Sequence, residues 1–213
     1  MKIFLDSADL EEIRAARALG FLDGVTMNPK LLARAARPLR ELVPELSELV
    51  PGPLCLPAQG ETLEELLEVG RQLARLHARV VVKIPLGVEG LRAMQRLQAE
   101  GIGTHATLCG SASQALLAAK CGAIFVSPFV GRLEEQGEAS GALVGQILEI
   151  YGRHGYATQV MVASVRHRGH VEEAAWRGAQ ACTMPWNVLR SLAEHPLTDL
   201  LKLDYKPEAR REG

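Results

Sequence analysis

Residues 79–108 read RVVVKIPLGVEGLRAMQRLQAEGIGTHATL, and this stretch decides the fold. Val80–Pro85 is a short apolar run, Val88–Ala99 carries a helical period, and Gly103–Leu108 is a second short run. Strand, helix and strand in this order form a βαβ unit, whose two strands lie parallel. The same alternation runs outward in both directions. Upstream strand candidates are Lys2–Asp6, Gly24–Met27 and Pro53–Gln59; downstream ones are Ala123–Phe129, Gln159–Ser164 and Ala181–Trp186. Between them Ser7–Leu19, Glu61–His77, Ser111–Cys121, Ala139–Arg153, Gly169–Gly178 and Asn187–Glu194 read as helices. Ser7–Leu19 opens on Ser-Ala-Asp-Leu-Glu, a capping signature. The segment after the second strand is long enough for two helices and is interrupted at Pro38.

Eight strands alternating with eight helical units in 213 residues predict an α/β chain folded as a single (β/α)8 TIM barrel, with a C-terminal helical tail over about 196–213. An open doubly wound sheet is the alternative. Against it, Asp6-Ser7-Ala8-Asp9 follows the first strand where a glycine-rich phosphate loop would stand.

The chain is 47% hydrophobic and 23% charged, enough for one well-buried domain. Its net charge is -1 and no block of like charges runs along it, which argues against a nucleic-acid stripe or an anionic-membrane footprint. An anionic substrate must then be met by a few placed arginines. The apolar run at Met1–Asp6 is too short for a signal-peptide core, and no stretch approaches the ~20 apolar residues of a membrane span. Cys55, Cys109, Cys121 and Cys182 are scattered with no CxxC pair, the pattern of reduced thiols in a cytoplasmic protein.

Strand after strand, the apolar run ends in a polar group: Asp6, Asn28, Gln59, Lys83, Thr107, Ser127 and Ser164. In a barrel these ends converge on the C-terminal face, where such folds keep their chemistry. Helix caps also favour Ser, Thr, Asp and Asn, so most of the series has a structural explanation. A lysine inside an apolar strand does not. Burying the ammonium of Lys83 costs several kcal/mol unless it is paired or its pKa falls. A neutral amine attacks carbonyls, and the iminium it forms is an electron sink for C–C cleavage. The competing reading is a buried ion pair with Asp6 that holds the barrel together; the two are compatible, because a catalytic lysine also needs acid/base neighbours.

Arg132 and Arg166 follow the sixth and seventh strands, where adjacent loops bring two guanidinium forks onto one phosphate; otherwise each is a solvated surface arginine. His167 and His170 have a spacing that suits a metal, but a third ligand is missing nearby in the sequence, and no metal is expected. Trp176 and Trp186 read as packing residues.

These motifs resemble the small transaldolase family and the closely related fructose-6-phosphate aldolases. The resemblance is carried by Val81-Val82-Lys83-Ile84-Pro85, Thr26-Met27-Asn28-Pro29, Leu5-Asp6-Ser7-Ala8, Val126-Ser127-Pro128-Phe129-Val130-Gly131-Arg132, Ala163-Ser164-Val165-Arg166 and Gln114-Ala115-Leu116-Leu117-Ala118-Ala119. It is collinear over almost the whole chain. It implies a class I mechanism without cofactor. Lys83 forms the Schiff base with a ketose phosphate, Asp6 moves a proton, and Thr107 with the residue at 59 holds a relay water. Asn28 and Ser164 hold the dihydroxyacetone hydroxyls, Arg132 and Arg166 the phosphate, with Ser127, Phe129 and His105 beside them. The resemblance also implies sugar-phosphate substrates of the pentose phosphate pathway and a ring-like pentamer or decamer, in which the segment Pro196–Lys206 reaches a neighbour.

Several positions depart from the family pattern. Gln59 stands where transaldolases have Glu and aldolases Gln, and glutamine cannot take a proton as a base. Phe129 sides with transaldolases, the aldolases having Tyr. His105 replaces an Asn, and Met27 and Lys30 replace Thr and Ser, so that Lys30 adds a charge near the site. Transfer, simple cleavage of fructose 6-phosphate, and a non-catalytic phosphosugar-binding barrel are the three functions that follow.

Overall fold

The structure, a computed structural model, describes residues 1–35 and 37–205. Its elements alternate as the sequence predicts. In chain order they are β1 (Lys2–Asp6), α1 (Leu10–Ala18), β2 (Gly24–Thr26), α2 (Pro29–Ala35), α3 (Leu39–Leu49), β3 (Leu54–Pro57), α4 (Leu63–Ala74), β4 (Val80–Pro85), α5 (Val88–Ala99) and β5 (Thr104–Cys109). Then follow α6 (Ala112–Lys120), β6 (Phe125–Pro128), α7 (Val130–Glu135), α8 (Ser140–His154), β7 (Gln159–Val162), α9 (Arg168–Trp176), β8 (Ala181–Met184), α10 (Trp186–Ser191) and α11 (Pro196–Asp204). The eight strands close in sequence order, β8 pairing in parallel with β1 through Lys2–Ala181 and Leu5–Met184. Closure excludes the open doubly wound sheet. The expected tail is helical over α11, while Pro207 and Glu208–Gly213 lie outside the described residues.

Strand alternation sorts the side chains into two cores. Val80, Val82 and Ile84 of β4 point outward and join the large cluster beneath the helices. Val81 points inward, where it packs with Phe4, Cys55, Phe125, Met161 and Ala181 into a separate plug that fills the barrel. The rings of Phe4 and Phe125 meet edge-on, centroids 5.7 Å apart. Two residues further along four of these strands the inward positions turn polar: Asp6 after Phe4, Lys83 after Val81, Ser127 after Phe125 and Thr183 after Ala181. The barrel interior is thus apolar below and polar above, and the polar layer opens on the C-terminal mouth.

Local signals set the helix ends. Asp9, rather than Ser7, caps α1 by accepting from the backbone N–H groups of Glu11 and Glu12. Thr62 and Glu65 form a reciprocal capping box on α4. Pro38 separates α2 from α3. The sequence reading placed Arg132 in a loop, but it belongs to the short helix α7. Trp186 packs partly against the core, whereas Trp176 is 81% exposed with Arg177 over its ring, so it is no packing residue.

Gly24 tests the plug. A Cβ there would stand 2.3 Å from Phe4 Cε1 and 2.8 Å from the Pro53 carbonyl oxygen, and the latter is backbone. Gly24→Ala is expected to cost about 1–3 kcal/mol in urea denaturation, with an unchanged m value. An unshifted midpoint would show that the plug has slack.

Candidate active site

A cavity of about 500 Å³ sits at the C-terminal mouth, lined by strand ends and the loops after them. Lys83 forms part of its wall. The residue is only 6% exposed, with Val82 and Ile84 beside it in the strand and Val81 beneath. Its Nζ donates to the carbonyl of Met27 at 3.2 Å. Burial drives the Lys83 pKa down, and the charge of Asp6 opposes that fall.

Asp6 is tied elsewhere. Its Oδ1 accepts from Thr26 Oγ1 at 2.8 Å and its Oδ2 from Asn28 Nδ2 at 3.3 Å. Thr26 Oγ1 also lies 2.7 Å from Thr183 Oγ1. The single hydrogen of Thr26 goes to Asp6, so Thr183 is the donor of that second bond. Asn28 is oriented by its other end, where Oδ1 accepts from the N–H groups of Lys30 and Leu31 and caps α2. Desolvation raises the Asp6 pKa, countered first by Lys83 and then by these hydrogen bonds. Carboxyl and amine therefore lie close enough to feel each other's charge, while each is held by its own partners. The ion-pair alternative from the sequence is replaced by this looser coupling.

β5 carries two further polar groups. His105 stands across from Lys83 in the strand register, fully buried, with Nε2 2.7 Å from Ser127 Oγ and its ring edge-on to Phe125. Burial, reinforced by Lys83, holds the imidazole neutral. Thr107 lines the cavity, and neither its Oγ1 nor His105 Nδ1 has a protein partner. Such atoms sit where a buried water or a bound ligand would complete them. Ser127 and His105 are buried and do not line the cavity. Gln59 is exposed beyond the end of β3 and does not line the cavity. The same physics disfavours the thiolate at three buried cysteines: burial pushes Cys55 and Cys182 up to about 12 and Cys109 up to about 11.

The rim is shaped by backbone strain. Leu108 (φ 62°) and Ser164 (φ 60°) are the non-glycine residues with left-handed backbone among those described, and both line the cavity. Each costs about 1–3 kcal/mol and persists because its surroundings impose it. At Leu108 the β5–β6 register shifts, turning the leucine outward while Thr107 keeps facing in. At Ser164 the carbonyl accepts from Gly131 N at 3.2 Å. A Cβ on Gly131 would come within 2.3 Å of that oxygen, so glycine is what lets α7 approach the end of β7.

This approach brings Arg132 and Arg166 together at the mouth, beside Phe129, Ser164 and Lys30. Glu134 straps the arrangement: its carboxylate accepts from Ser140 Oγ at 2.8 Å and lies 2.7 Å from His170 Nε2. His170 Nδ1 accepts from the backbone N–H of Arg166 at 3.1 Å. Glu134 is thus the third group near His167 and His170 that the sequence did not reveal, all three offering atoms within 4.8 Å. With Nδ1 accepting, His170 carries its hydrogen on Nε2 and gives it to Glu134; both nitrogens are committed, and the cluster is a strap rather than a cation cage.

A parallel barrel with a buried amine, a desolvated carboxyl and two arginines at the C-terminal strand ends has the form of a TIM-barrel enzyme site. Residues 3–212 match the family described as Transaldolase/Fructose-6-phosphate aldolase. A protein from Myxococcus xanthus (strain DK1622) named probable transaldolase is 53% identical over 200 residues, covering 93% of this chain and 90% of the relative. Proteins of the same name from Aquifex aeolicus (strain VF5) and Sorangium cellulosum (strain So ce56) are 49% and 45% identical, covering 94% and 99% of this chain and 92% and 98% of their own lengths. The chain belongs to the transaldolase/fructose-6-phosphate aldolase family. No helix among the described residues is long and apolar enough to cross a membrane.

The coupling of Asp6 to Lys83 has a readable consequence. Cyanate modifies only the neutral amine, so carbamylation of Lys83, followed by mass spectrometry, is expected to rise with pH around a midpoint below the ordinary 10.5. Asp6→Asn removes the charge that favours the ammonium and is expected to move the midpoint lower still. A midpoint that moves up would contradict the assignment.

Proposed function

We propose that this chain is a transaldolase working through a Schiff base on Lys83. The supporting observation is a lysine amine at the wall of the mouth cavity, its charge disfavoured by burial, with the Asp6 carboxyl coupled to it. Neutral Lys83 Nζ adds to the ketone carbon of a ketose phosphate, sedoheptulose 7-phosphate or fructose 6-phosphate, and water leaves as the iminium forms. Asp6 takes the proton of the hydroxyl beyond the bond to be broken. That C–C bond then cleaves, its electron pair moves into the iminium, and an aldose phosphate departs. The enamine left on Lys83 attacks the aldehyde of glyceraldehyde 3-phosphate or erythrose 4-phosphate, Asp6 returns its proton to the new alkoxide, and hydrolysis frees the amine. Each step uses side chains and water, with no metal or organic cofactor.

On this reading Asn28 and Ser164 meet the dihydroxyacetone hydroxyls, and Arg132 with Arg166 the phosphate. Thr107 is the site's candidate to hold the relay water; with Gln59 outside the lining, Asp6 carries the acid/base work. Phe129, an apolar side chain on the wall, lacks the hydroxyl that would hold a water against the enamine, which favours transfer over protonation. We place the reaction in the cytoplasm, within the non-oxidative pentose phosphate pathway. We also read the chain as a homo-oligomer, because α11 exposes Leu197, Leu200, Leu201 and Leu203 with no buried residue of its own. A second reading, fructose-6-phosphate aldolase, is favoured by Gln59 alone.

Incubation with fructose 6-phosphate separates the two. Turnover that requires erythrose 4-phosphate is expected; equal turnover without an acceptor would establish the aldolase. Arg132→Ala is expected to raise KM for fructose 6-phosphate about ten- to a hundredfold, the loss of a hydrogen bond to a charged group, with little change in kcat. An unchanged KM would remove Arg132 from the phosphate site.

A further inference from the structure

The two arginines at the mouth are already occupied. Glu135 Oε2 lies 2.6 Å from Arg132 Nη1, and Glu135 Oε1 lies 3.0 Å from Arg166 Nη2. One carboxylate thus spans two guanidinium groups from different elements, one oxygen to each fork. Two oxygens of a phosphate would take the same places. We propose that Glu135 is a resident anion in the phosphate seat, a carboxylate that phosphate must displace and that sets how tightly the mouth binds phosphorylated ligands. The inference rests on the phosphate role of Arg132 and Arg166 given above.

Glu134 and Glu135 are neighbours with opposite circumstances. Glu134 is held by Ser140 and His170, and through His170 it fixes the backbone of Arg166. It cannot swing away without dismantling the strap. Glu135 has the two arginines as its partners, and its side chain is 49% exposed, so a change of rotamer releases it into water. Arg132 and Arg166 hold its pKa below the usual carboxylate range, which keeps it anionic at neutral pH. Ion pairs this exposed are weakly held. A phosphate dianion presents more charge and more acceptor oxygens to the same forks, so it displaces the carboxylate, but against a standing competitor. With Glu135 in place the trio carries one net positive charge; without it, two. Selectivity follows as well, since a neutral or weakly anionic ligand gains too little from the forks to displace the carboxylate.

Isothermal titration of the full chain with inorganic phosphate at fixed ionic strength tests this. Glu135→Gln keeps the shape and removes the charge. It is expected to lower the Kd for phosphate about fivefold, the order expected from removing one like charge a few ångströms away in water. Glu135→Ala also clears the volume and is expected to tighten binding at least as much, and the KM for fructose 6-phosphate should fall with it. Unchanged affinity, including no measurable binding in any of the proteins, overturns the inference. Weaker binding in either variant also overturns it, because the carboxylate then orients the forks instead of occupying their seat. Arg132→Ala serves as the reference. If it weakens phosphate binding while the Glu135 variants do nothing, only this inference fails; if it leaves phosphate binding unchanged, the clamp reading fails and takes the inference with it.

Discussion

An ammonium cannot be buried without consequence, and the inward placement of Lys83 is the constraint around which the barrel is organised. The residue follows Val81 on the inner face of β4, where the strand period sends it toward the centre. Water is largely excluded there, so the charged form is penalised unless other groups support it. The barrel gives partial support: a carbonyl from Met27 and the field of Asp6, but no close carboxylate. Full pairing would stabilise the ammonium and quench the amine as a nucleophile. Partial support leaves an amine whose charge is disfavoured by burial, the state that the proposed Schiff base requires. The same compromise appears at Asp6, whose carboxyl is raised by burial and pulled back by Lys83, Thr26 and Asn28.

The mouth shows how a rigid scaffold positions flexible charges. The polar layer rests on an apolar plug, so its side chains cannot sink further into the barrel. Above it, left-handed residues at Leu108 and Ser164 re-aim the strand ends, and Gly131 permits the close contact that seats α7 against β7. The Glu134–His170 strap then fixes the backbone from which Arg166 projects. Strain and close packing at the rim are what bring two arginines, separated by more than thirty residues, to one point.

Much of this was legible in the sequence, and what was not has physical reasons. The eight strands and the βαβ rhythm follow from short apolar runs between helical periods, and Lys83 stood out because a lysine in such a run must be paired or lose its charge. Strand ends were overrun at Gln59, Phe129 and Ser164, because an apolar or polar residue after a strand looks like its continuation when the turn geometry is unknown. Gln59 consequently moved out of the lining. The helix α7 was missed because six residues are too few to display a period. Nothing in the local sequence singles out Glu134 and Glu135, since their partners His170 and Arg166 come from a distant segment that only closure of the barrel brings near. The neutral His105–Ser127 pair was likewise hidden, though the even spacing of His105 and Thr107 marked both as inward-facing.

The proposed function turns on one chemical event, the bond between Lys83 Nζ and a sugar carbonyl. Borohydride reduction in the presence of fructose 6-phosphate, followed by peptide mass spectrometry, reads that bond directly. The account requires a reduced three-carbon or hexose phosphate adduct on Lys83 and on no other lysine of the chain. An adduct located elsewhere, or none at all under conditions where the enzyme turns over, would contradict it.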